Sequence, residues 1–271
     1  MPTDHIDGLL PRSWLFVPGT RLDLLEKAFR AEAHAVIVDL EDAVLPEHKL
    51  PARRAIAQLP AIGALYVRVN AVGTSDFPLD VAAAKQANAS GVVLPKVERR
   101  EDLDALLELM PEPIRVVVLI ETARGLANLA ELASHPAVHR IAFGGVDFAL
   151  DVGCAADSFT MRSARSSLVL GCRAAGLPAP IDGVTVSIET EVLERDAQDA
   201  RAMGFGGKLC IHPRQIACTN QAFLPSDEEV TWAKRIIEQA GRADAGAILV
   251  DGQMVDRPVL ERAKRVLAET R

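Results

Sequence analysis

The chain has 271 residues, of which 49% are hydrophobic and 25% are charged, and its net charge is −7. This composition is typical of a soluble globular protein, and the negative charge argues against nucleic-acid partners. No apolar run approaches the roughly 20 residues of a membrane-spanning helix, so no membrane partner is expected. Residues 1–12 lack the features of a signal peptide, and the four cysteines form no C-x-x-C pair, which predicts free thiols in a cytoplasmic protein.

Eight short apolar runs recur along the chain, each ending in polar residues or glycine before an amphipathic stretch. Most are rich in Val, Ile and Leu without polar alternation, which is typical of strands buried on both faces of a parallel sheet. The runs span residues 14–18, 35–41, 65–70, 91–96, 115–122, 140–145, 179–184 and 207–212. We predict a strand at each of them.

Helices are predicted between these strands, where apolar residues recur at three- and four-residue spacing. The clearest segments are residues 23–32, 101–110, 126–133 and 190–203, and Thr20 could cap the first of them. Eight strands alternating with helices over about 250 residues predict a TIM (β/α)8 barrel of the α/β class. An open doubly wound sheet is the main alternative, but its G-x-G-x-x-G turn is absent after the first strand.

The residues after the eighth strand predict a short C-terminal helical appendage. Ser226 and Glu229 form an S-x-x-E capping box for a helix over residues 227–240, and a second helix is predicted over residues 257–269. A Gly- and Ala-rich link over residues 241–247 precedes a hairpin that turns at Asp251-Gly252. We therefore predict a catalytic barrel at residues 1–222 and a helical tail or lid at residues 223–271.

The hairpin of this tail predicts a homo-oligomer. Its apolar residues are Leu249, Val250, Met254 and Val255. A lone appendage of this size would bury such residues poorly, so we expect them to contact a second copy of the chain.

Polar residues lie at or just after the ends of the predicted strands, at the end of the barrel that forms the active-site face of this fold. They are Asp39, Glu41, Asp42, Arg68, Asn70, Lys96, Glu121, Thr122, Asp147, Asp151, Asp182, Lys208 and His212. Unpaired buried charges are costly, so a ring of them at one rim indicates a common ligand. His212 fits a structural role as well as a catalytic one, and Gly144-Gly145 could serve either packing or close approach to a ligand.

Two of these carboxylates form a candidate metal site. Glu121 and Asp147 lie 26 residues apart, about one β/α unit, which predicts adjacent strand ends about 4.8 Å apart. Such oxygen ligands favour Mg²⁺ or Mn²⁺, although each carboxylate could instead pair with Lys96 or Arg68. Arg68 itself fits either a core salt bridge or a bidentate grip on a carboxylate or enolate oxygen.

Short phrases in register along the chain resemble one enzyme family. They are LFVPG (15–19), DLEDAV (39–44), VRVN (67–70), VLPK (93–96), LIET (119–122), FGGVDFALDVG (143–153), IDGV (181–184) and GFGGKLCIHPRQ (204–215), followed by EEVTWAKRII (228–237) and DGQMVDRPVLERA (251–263). In this order the phrases resemble citrate lyase β subunits, malyl-CoA lyases and citramalyl-CoA lyases, within the metal-dependent HpcH/HpaI aldolases.

The resemblance implies functions for individual residues at the rim. Glu121 and Asp147 match the family's metal ligands, and Arg68 matches an arginine that contacts the oxoacid or enolate oxygen. Glu41 and Asp42 match an acidic pair that holds either metal-bound water or the arginine.

The resemblance also implies sites outside this group. Arg21 and Lys27 match positions that contact the phosphates of CoA. Asp256 matches an aspartate that enters a neighbouring subunit's active site as a general acid or base, although the tail that carries it here is short and divergent. The implied assembly is a homo-oligomer, either a trimer or a hexamer.

The implied activity is a Mg²⁺-dependent, reversible Claisen-type cleavage of a 3-hydroxyacyl-CoA of the malyl-, citramalyl- or citryl-CoA type. Its small-molecule partners are an acyl-CoA and a 2-oxoacid. One alternative is a metal-dependent aldolase that acts on a free 2-oxoacid without CoA. Another is a citrate lyase β-type subunit that is active only in a complex with an acyl-carrier partner.

Overall fold

Eight parallel strands close into a barrel in chain order. The computed structural model describes residues 10–60, 63–110, 112–240, 248–250 and 253–270. The barrel strands are β1 (Ser13–Pro18), β2 (Ala35–Asp39), β3 (Leu65–Arg68), β4 (Gly91–Leu94), β5 (Arg115–Ile120), β6 (Val138–Phe143), β7 (Ile181–Asp182) and β8 (Gly207–Cys210). Each strand pairs with the next, and β8 closes the barrel by pairing with β1. The predicted TIM barrel is therefore confirmed.

The strands end earlier than the sequence predicts. β1 ends at Pro18 as expected, but each of the other seven ends two residues before its predicted end. Hydrogen bonds between neighbouring strands continue just past the strand ends. Leu40 N–H donates to Arg68 O and Gly144 N–H donates to Ile120 O, both at 2.9 Å. After β4, Lys96 adopts a left-handed conformation with φ of 52°. Part of the polar rim therefore lies after the strand ends, as for Glu41, Lys96 and Glu121, whereas Asp39 and Arg68 are the last residues of their strands.

The barrel interior is filled by side chains and does not form a pore. Its buried residues are Trp14, Ala35, Ile37, Tyr66, Val93, Val117, Leu119, Ala142, Ile181 and Leu209. The rings of Trp14 and Tyr66 pack with centroids 4.8 Å apart, and the Trp14 indole N–H donates to Pro11 O at 3.1 Å. A Cβ at Gly91 would lie 2.3 Å from the Tyr66 ring, so this packing requires glycine there. The packed interior therefore leaves no channel through the barrel between the described residues.

Helices surround the barrel. They are α1 (Leu25–Arg30), α2 (Pro46–Ile56), α3 (Phe77–Gln86), α4 (Arg100–Leu109), α5 (Ala123–Ala127), α6 (Leu129–Ala133), α7 (Gly145–Val152), α8 (Phe159–Ala174), α9 (Thr190–Met203) and α10 (Arg214–Ala222). The helix predicted over residues 126–133 is instead split, because Asn128 separates α5 from α6 and donates its amide to Glu98 O. Within the described ranges, no helix has the length and apolar character needed to cross a membrane.

The start of the first helix differs from the prediction. A short 3-10 helix, Leu22–Leu24, precedes α1, and its N-cap residue is Arg21 without any capping side-chain hydrogen bond. Thr20 is therefore not the cap. The sequence pattern places a cap before the apolar run, but the tight 3-10 turn begins one residue later.

The C-terminal residues form two further helices and a hairpin. They comprise α11 (Asp227–Ala240), β9 (Ile248–Val250), β10 (Gln253–Val255) and α12 (Arg257–Ala268). The predicted capping box is confirmed, since Ser226 N–H donates to Glu229 Oε2 at 2.9 Å and Glu229 N–H donates to Ser226 Oγ at 3.1 Å. β9 and β10 pair in antiparallel register. The predicted turn at Asp251-Gly252 and the link over residues 241–247 lie outside the described residues.

This C-terminal segment has a small core of its own. Val250 and Val255 are buried among residues of α11 and α12, so the expectation that they remain poorly buried is wrong. The two helices cover one face of the hairpin, whereas Leu249 and Met254, paired on the hairpin, are 75% and 72% exposed. The expected apolar surface is thus reduced to these two side chains.

Candidate active site

A cavity of about 410 Å³ lies at the carboxyl ends of the barrel strands. Its lining residues are Phe16, Pro18, Asp39, Asp42, Ala43, Arg68, Leu119, Glu121, Phe143, Gly144, Gly145, Val146, Asp147, Val184, Leu209 and Ile211. Leu119 and Leu209 also belong to the barrel-interior cluster, so the top of that core forms the floor. The cavity therefore combines an apolar floor with ionisable walls.

Arg68 is the cation in the lining of this cavity. It stands in register with Asp39 on the neighbouring strand, and its guanidinium donates to both Asp39 carboxylate oxygens, at 2.8 and 2.6 Å. The guanidinium also lies over the Phe16 ring, 4.9 Å from the centroid. Burial lowers the pKa of Arg68, but its hydrogen bonds to Asp39 and the negative charges of Asp39, Glu41 and Asp42 outweigh this effect and raise the pKa. Arg68 is thus both a salt-bridge partner and a fixed charge at the cavity.

The acidic pair after β2 divides into a buried member and an exposed one. Glu41 is buried; its Oε1 accepts from Lys96 Nζ at 2.6 Å, and its Oε2 lies 3.0 Å from Arg68 Nη1 without an aligned hydrogen bond. Burial raises the pKa of Glu41 despite the two nearby cations. Asp42 is exposed and lies 4.0 Å from Arg68 and 3.8 Å from Lys96. Glu41 therefore contacts the arginine, while Asp42 faces the cavity from its edge.

Glu121 follows β5 and is only 1% exposed. Its Oε1 accepts from the main-chain N–H of Lys96 at 2.7 Å, whereas its Oε2 has no hydrogen-bond partner in the described part of the chain. Burial raises the pKa of Glu121 to about 8, and the negative charges of Glu41 and Asp147 add to the effect. A buried acceptor without a donor, among like charges, is the arrangement that a bound cation would relieve.

Asp147 lies in the first turn of α7, four residues after Phe143, where the neighbouring strand β6 ends, and not at the strand end that its spacing to Glu121 predicts. The two parent strands are paired, and both carboxylates line the cavity. Gly144, between them, makes room for Glu121, since a Cβ there would lie 2.6 Å from Glu121 Oε2. The close backbone approach that the sequence allows at Gly144 is therefore made to the side chain of Glu121.

These two carboxylates fit a hard divalent cation. The unpartnered Oε2 of Glu121 and the carboxylate of Asp147 face the same cavity and supply oxygen ligands, as Mg²⁺ prefers. Among the described residues, no cluster of three or more His, Cys, Asp or Glu side chains could hold a metal. Water and substrate oxygens would therefore complete the coordination, as is usual for Mg²⁺.

Three other predicted residues lie away from the cavity lining. Arg21 is exposed and pairs with Asp23 at 2.8 Å, and Lys27 is exposed on α1. Asp256 is the N-cap of α12, where its carboxylate accepts from Val259 N–H at 3.3 Å. Within its own chain, Asp256 therefore has a structural contact.

Two residues at the site were underestimated from the sequence. Asp39 is the principal partner of Arg68, and Lys96 contacts both Glu41 and Glu121. The strand register contains a signal for Asp39, because parallel pairing of β2 with β3 sets it opposite Arg68. The sequence allows Glu121 to pair with the charge of Lys96, but in the structure the main-chain N–H of Lys96 makes this contact and the ammonium donates to Glu41 instead.

A closed parallel barrel with ionisable side chains gathered at the carboxyl ends of its strands is the architecture of TIM-barrel enzymes. The family described as HpcH/HpaI aldolase/citrate lyase matches residues 12–213. The chain belongs to this family, as its sequence phrases predict.

Similar proteins differ in the reaction that their names describe. The chain is 36% identical over 269 residues to a (3S)-malyl-CoA thioesterase of Cereibacter sphaeroides, covering 95% of this chain and 94% of that protein. It is 36% identical over 263 residues to a citrate lyase subunit beta-like protein of Mycobacterium tuberculosis, covering 94% and 93%. The structure of protein CitE from Mycobacterium tuberculosis in complex with magnesium, acetoacetate and coenzyme A matches with a TM-score of 0.86 and 34% identity, covering 96% of this chain and 98% of that chain.

Proposed function

We propose that this protein is a Mg²⁺-dependent carbon-carbon lyase that reversibly cleaves a 3-hydroxyacyl-CoA of the malyl-, citramalyl- or citryl-CoA type. The observation that carries the proposal is the convergence of Arg68 with the unpartnered Oε2 of Glu121 at one cavity. Membership of the family and the magnesium, acetoacetate and coenzyme A bound to CitE support it.

In the cleavage direction the substrate hydroxyl loses its proton and the bond between C2 and C3 breaks. The oxygen becomes the carbonyl of a 2-oxoacid, and the bonding electrons pass to the acyl-CoA as an enolate that is then protonated. Arg68, fixed by Asp39, would stabilise negative charge on the reacting oxygens. The apolar floor would exclude water from the enolate.

Glu121 and Asp147 would hold the magnesium ion through Glu121 Oε2 and an Asp147 oxygen. When bound, the ion would supply Lewis-acid polarisation of the oxoacid carbonyl. Glu41 and Asp42 would keep Arg68 and Lys96 in place at the rim. Arg21 and Lys27 would contact CoA phosphates above the rim.

Asp256 would act from the tail of a second copy of the chain, in a trimer or hexamer. Exposed apolar side chains on the tail and beside the cavity support such a contact. The tail offers Leu249 and Met254, while α7 at the cavity offers Val146 and Leu150, which are 56% and 80% exposed. Asp256 would transfer the proton to or from the acyl carbon.

A thioesterase is the second candidate, favoured by the name of the Cereibacter sphaeroides relative. Hydrolysis would break the carbon-sulfur bond and release free CoA, whereas carbon-carbon cleavage leaves the thioester intact. An aldolase for a free 2-oxoacid, and a subunit that requires an acyl-carrier partner, remain alternatives. The aldolase alternative predicts activity without CoA. The subunit alternative predicts that the purified chain has no activity on CoA thioesters.

The proposal is tested by a screen of malyl-, citramalyl- and citryl-CoA with the purified chain, in Mg²⁺ and in EDTA, with 2-oxoacid release as the readout. We expect at least one thioester to be cleaved in Mg²⁺ and none in EDTA. Glu121→Gln and Asp147→Asn should abolish Mg²⁺ binding in calorimetry while the fold survives. Unchanged affinity in both variants would contradict the metal assignment.

A further inference from the structure

Lys96 contacts two buried carboxylates, of which Glu121 lines the cavity, through different parts of the same residue. Its main-chain N–H donates to Glu121 Oε1 at 2.7 Å, and its ammonium donates to Glu41 Oε1 at 2.6 Å. The other carboxylate oxygen of Glu121, Oε2, has no hydrogen-bond partner among the described residues. Lys96 thus determines which oxygen of Glu121 remains available.

The backbone of Lys96 makes this double contact possible. Its φ is 52°, in the left-handed region that residues with a side chain seldom adopt. The angle φ sets the direction of the N–H relative to the side chain, so the left-handed value allows the two donors to reach two carboxylates. Among the described residues, Glu32 and Asn88 also have positive φ without being glycine, but their N–H groups donate to the main-chain carbonyls of Phe29 and Lys85 and not to a carboxylate.

The following residues keep Lys96 in this conformation. Val97 is buried, and its carbonyl lies so close to α5 that a Cβ at Gly125 would be 2.5 Å from it. Asn128 donates to the carbonyl of Glu98 at 2.7 Å. Strained backbone conformations persist where their surroundings determine them in this way, and they concentrate at functional sites.

We propose that Lys96 is a positioning residue with two separable functions. Its left-handed backbone holds Glu121 by Oε1, so that Glu121 offers a cation only Oε2. Its ammonium holds Glu41 against Arg68 and so fixes the guanidinium for catalysis. The inference rests on the proposed function, because it assigns Glu121 to the cation and Arg68 to the substrate.

Three variants separate the two functions. Lys96→Met removes the charge and keeps an unbranched side chain, Lys96→Gly removes the charge and relaxes the backbone, and Lys96→Val removes the charge and disfavours positive φ by β-branching. We expect Mg²⁺ affinity by calorimetry to be unchanged or tighter for Met and Gly, because a nearby positive charge is lost. For Val it should fall by about 10- to 100-fold, as for other residues that orient metal ligands.

A matched control lies away from the two carboxylates that Lys96 contacts. Asn88 has φ of 49° and is exposed at the end of α3, so Asn88→Val imposes the same backbone conflict elsewhere. It should lower the melting temperature without changing Mg²⁺ affinity. If Lys96→Val does not fold, Lys96→Thr carries the same β-branch with a smaller apolar change and takes its place.

Each result decides the proposal. Equal Mg²⁺ affinity in folded wild-type and Lys96→Val chains overturns the backbone function, and loss of affinity in Lys96→Met shows that the ammonium controls the site instead.

The second function is tested by the turnover of Lys96→Met. Its kcat at saturating Mg²⁺ should fall at least about tenfold while KM stays within about twofold, and an unchanged kcat overturns the ammonium function. If the wild-type chain binds no Mg²⁺, the proposed function itself is contradicted. This outcome differs from a failure of the Lys96 proposal because it appears before any variant is compared.

Discussion

Arg68 and Asp39 stand opposite one another on adjacent strands and are joined by two parallel hydrogen bonds, Nε to Oδ1 at 2.8 Å and Nη2 to Oδ2 at 2.6 Å. The remaining nitrogen, Nη1, lies 3.0 Å from Glu41 Oε2. The guanidinium is thereby fixed in orientation while it lines the cavity. A donor that is already oriented stabilises developing charge without reorganisation, which is the basis of large electrostatic rate effects.

This geometry predicts that Arg68→Lys loses most of the activity. Lysine keeps the charge but cannot bond both Asp39 oxygens and the substrate with a planar fork. We expect kcat to fall on the order of 10²–10³ with a modest loss of melting temperature. Arg162→Lys is the matched control, because Arg162 pairs with Asp199 on the exposed surface. A fully active Arg68→Lys enzyme contradicts the prediction, and a collapse of the melting temperature would indicate a purely structural salt bridge.

Gly144 provides a second test of the site. A Cβ at Gly144 would lie 2.5 Å from Glu121 Cβ and 2.6 Å from its Oε2, whereas a Cβ at the adjacent Gly145 meets nothing nearer than 3.3 Å. Gly144→Ala should therefore displace Glu121 and weaken Mg²⁺ binding by about 10-fold or more. Gly145→Ala should bind Mg²⁺ within about threefold of wild type in the same calorimetric titration. Equal effects in the two variants would show that Glu121 is not the residue displaced.

The raised pKa of Glu121 predicts a pH dependence of stability. Its pKa is about 8 in the folded chain, against an ordinary value of 4.5, because of burial first and then the charges of Glu41 and Asp147. Between these pH values the folded chain binds more protons than the unfolded chain, so the free energy of unfolding falls as pH rises through this window. In EDTA, urea unfolding should show lower stability at pH 9 than at pH 6. Glu121→Gln should lack this component, since glutamine does not titrate.

The same pKa predicts proton release on Mg²⁺ binding. Glu121 must lose its proton to act as a ligand, so the affinity should rise by up to about tenfold per pH unit until pH 8 and then level off. Calorimetry in buffers of different ionisation enthalpy measures the number of protons released. An affinity independent of pH between 6 and 8 would rule out protonated Glu121 as the competitor.

The fold was predictable from the sequence because strands buried on both faces leave a strong apolar signal. All eight strand positions are confirmed, and α9 has its predicted bounds, Thr190–Met203. The split between α5 and α6 could not be foreseen, because it depends on the contact of Asn128 with Glu98 in another loop. Local propensity does not contain such a tertiary contact.

The site was predictable in its residue types but less so in its geometry. The spacing of Glu121 and Asp147 places them at one cavity, and Arg68 lies there as expected. The contacts of Lys96 could not be predicted, since its left-handed backbone follows from the packing of the loop after β4. Asp256, by contrast, directly precedes the helix predicted over residues 257–269, where aspartate is a preferred N-cap, and the structure has it in that position.

Asp256 allows its structural contact to be separated from catalysis. Asparagine caps helices about as well as aspartate but cannot transfer a proton, so Asp256→Asn should keep the melting temperature and lose activity. Asp256→Ala should lose activity and also destabilise α12 by about 1 kcal/mol. Full activity of Asp256→Asn would leave the helix cap as the only function of this residue.

A mixing experiment then tests whether Asp256 acts at the cavity of a second copy of the chain, as proposed. Chains with Asp256→Asn and chains with Glu121→Gln should each be inactive alone. If Asp256 acts on a second copy, exchange of subunits restores part of the activity, because some interfaces pair an intact cavity with an intact tail. Demonstrated exchange without recovery would place Asp256 in its own chain's site or outside catalysis.

The central claim is that the enzyme breaks a carbon-carbon bond and leaves the thioester intact. The most direct test is a single quenched reaction of the cleaved thioester in Mg²⁺, in which acyl-CoA, free CoA and 2-oxoacid are quantified together by mass spectrometry. We predict acyl-CoA and 2-oxoacid in equal amounts, with no free CoA above the uncatalysed background. Free CoA accompanied by the intact hydroxy acid would contradict the account and identify the enzyme as a thioesterase.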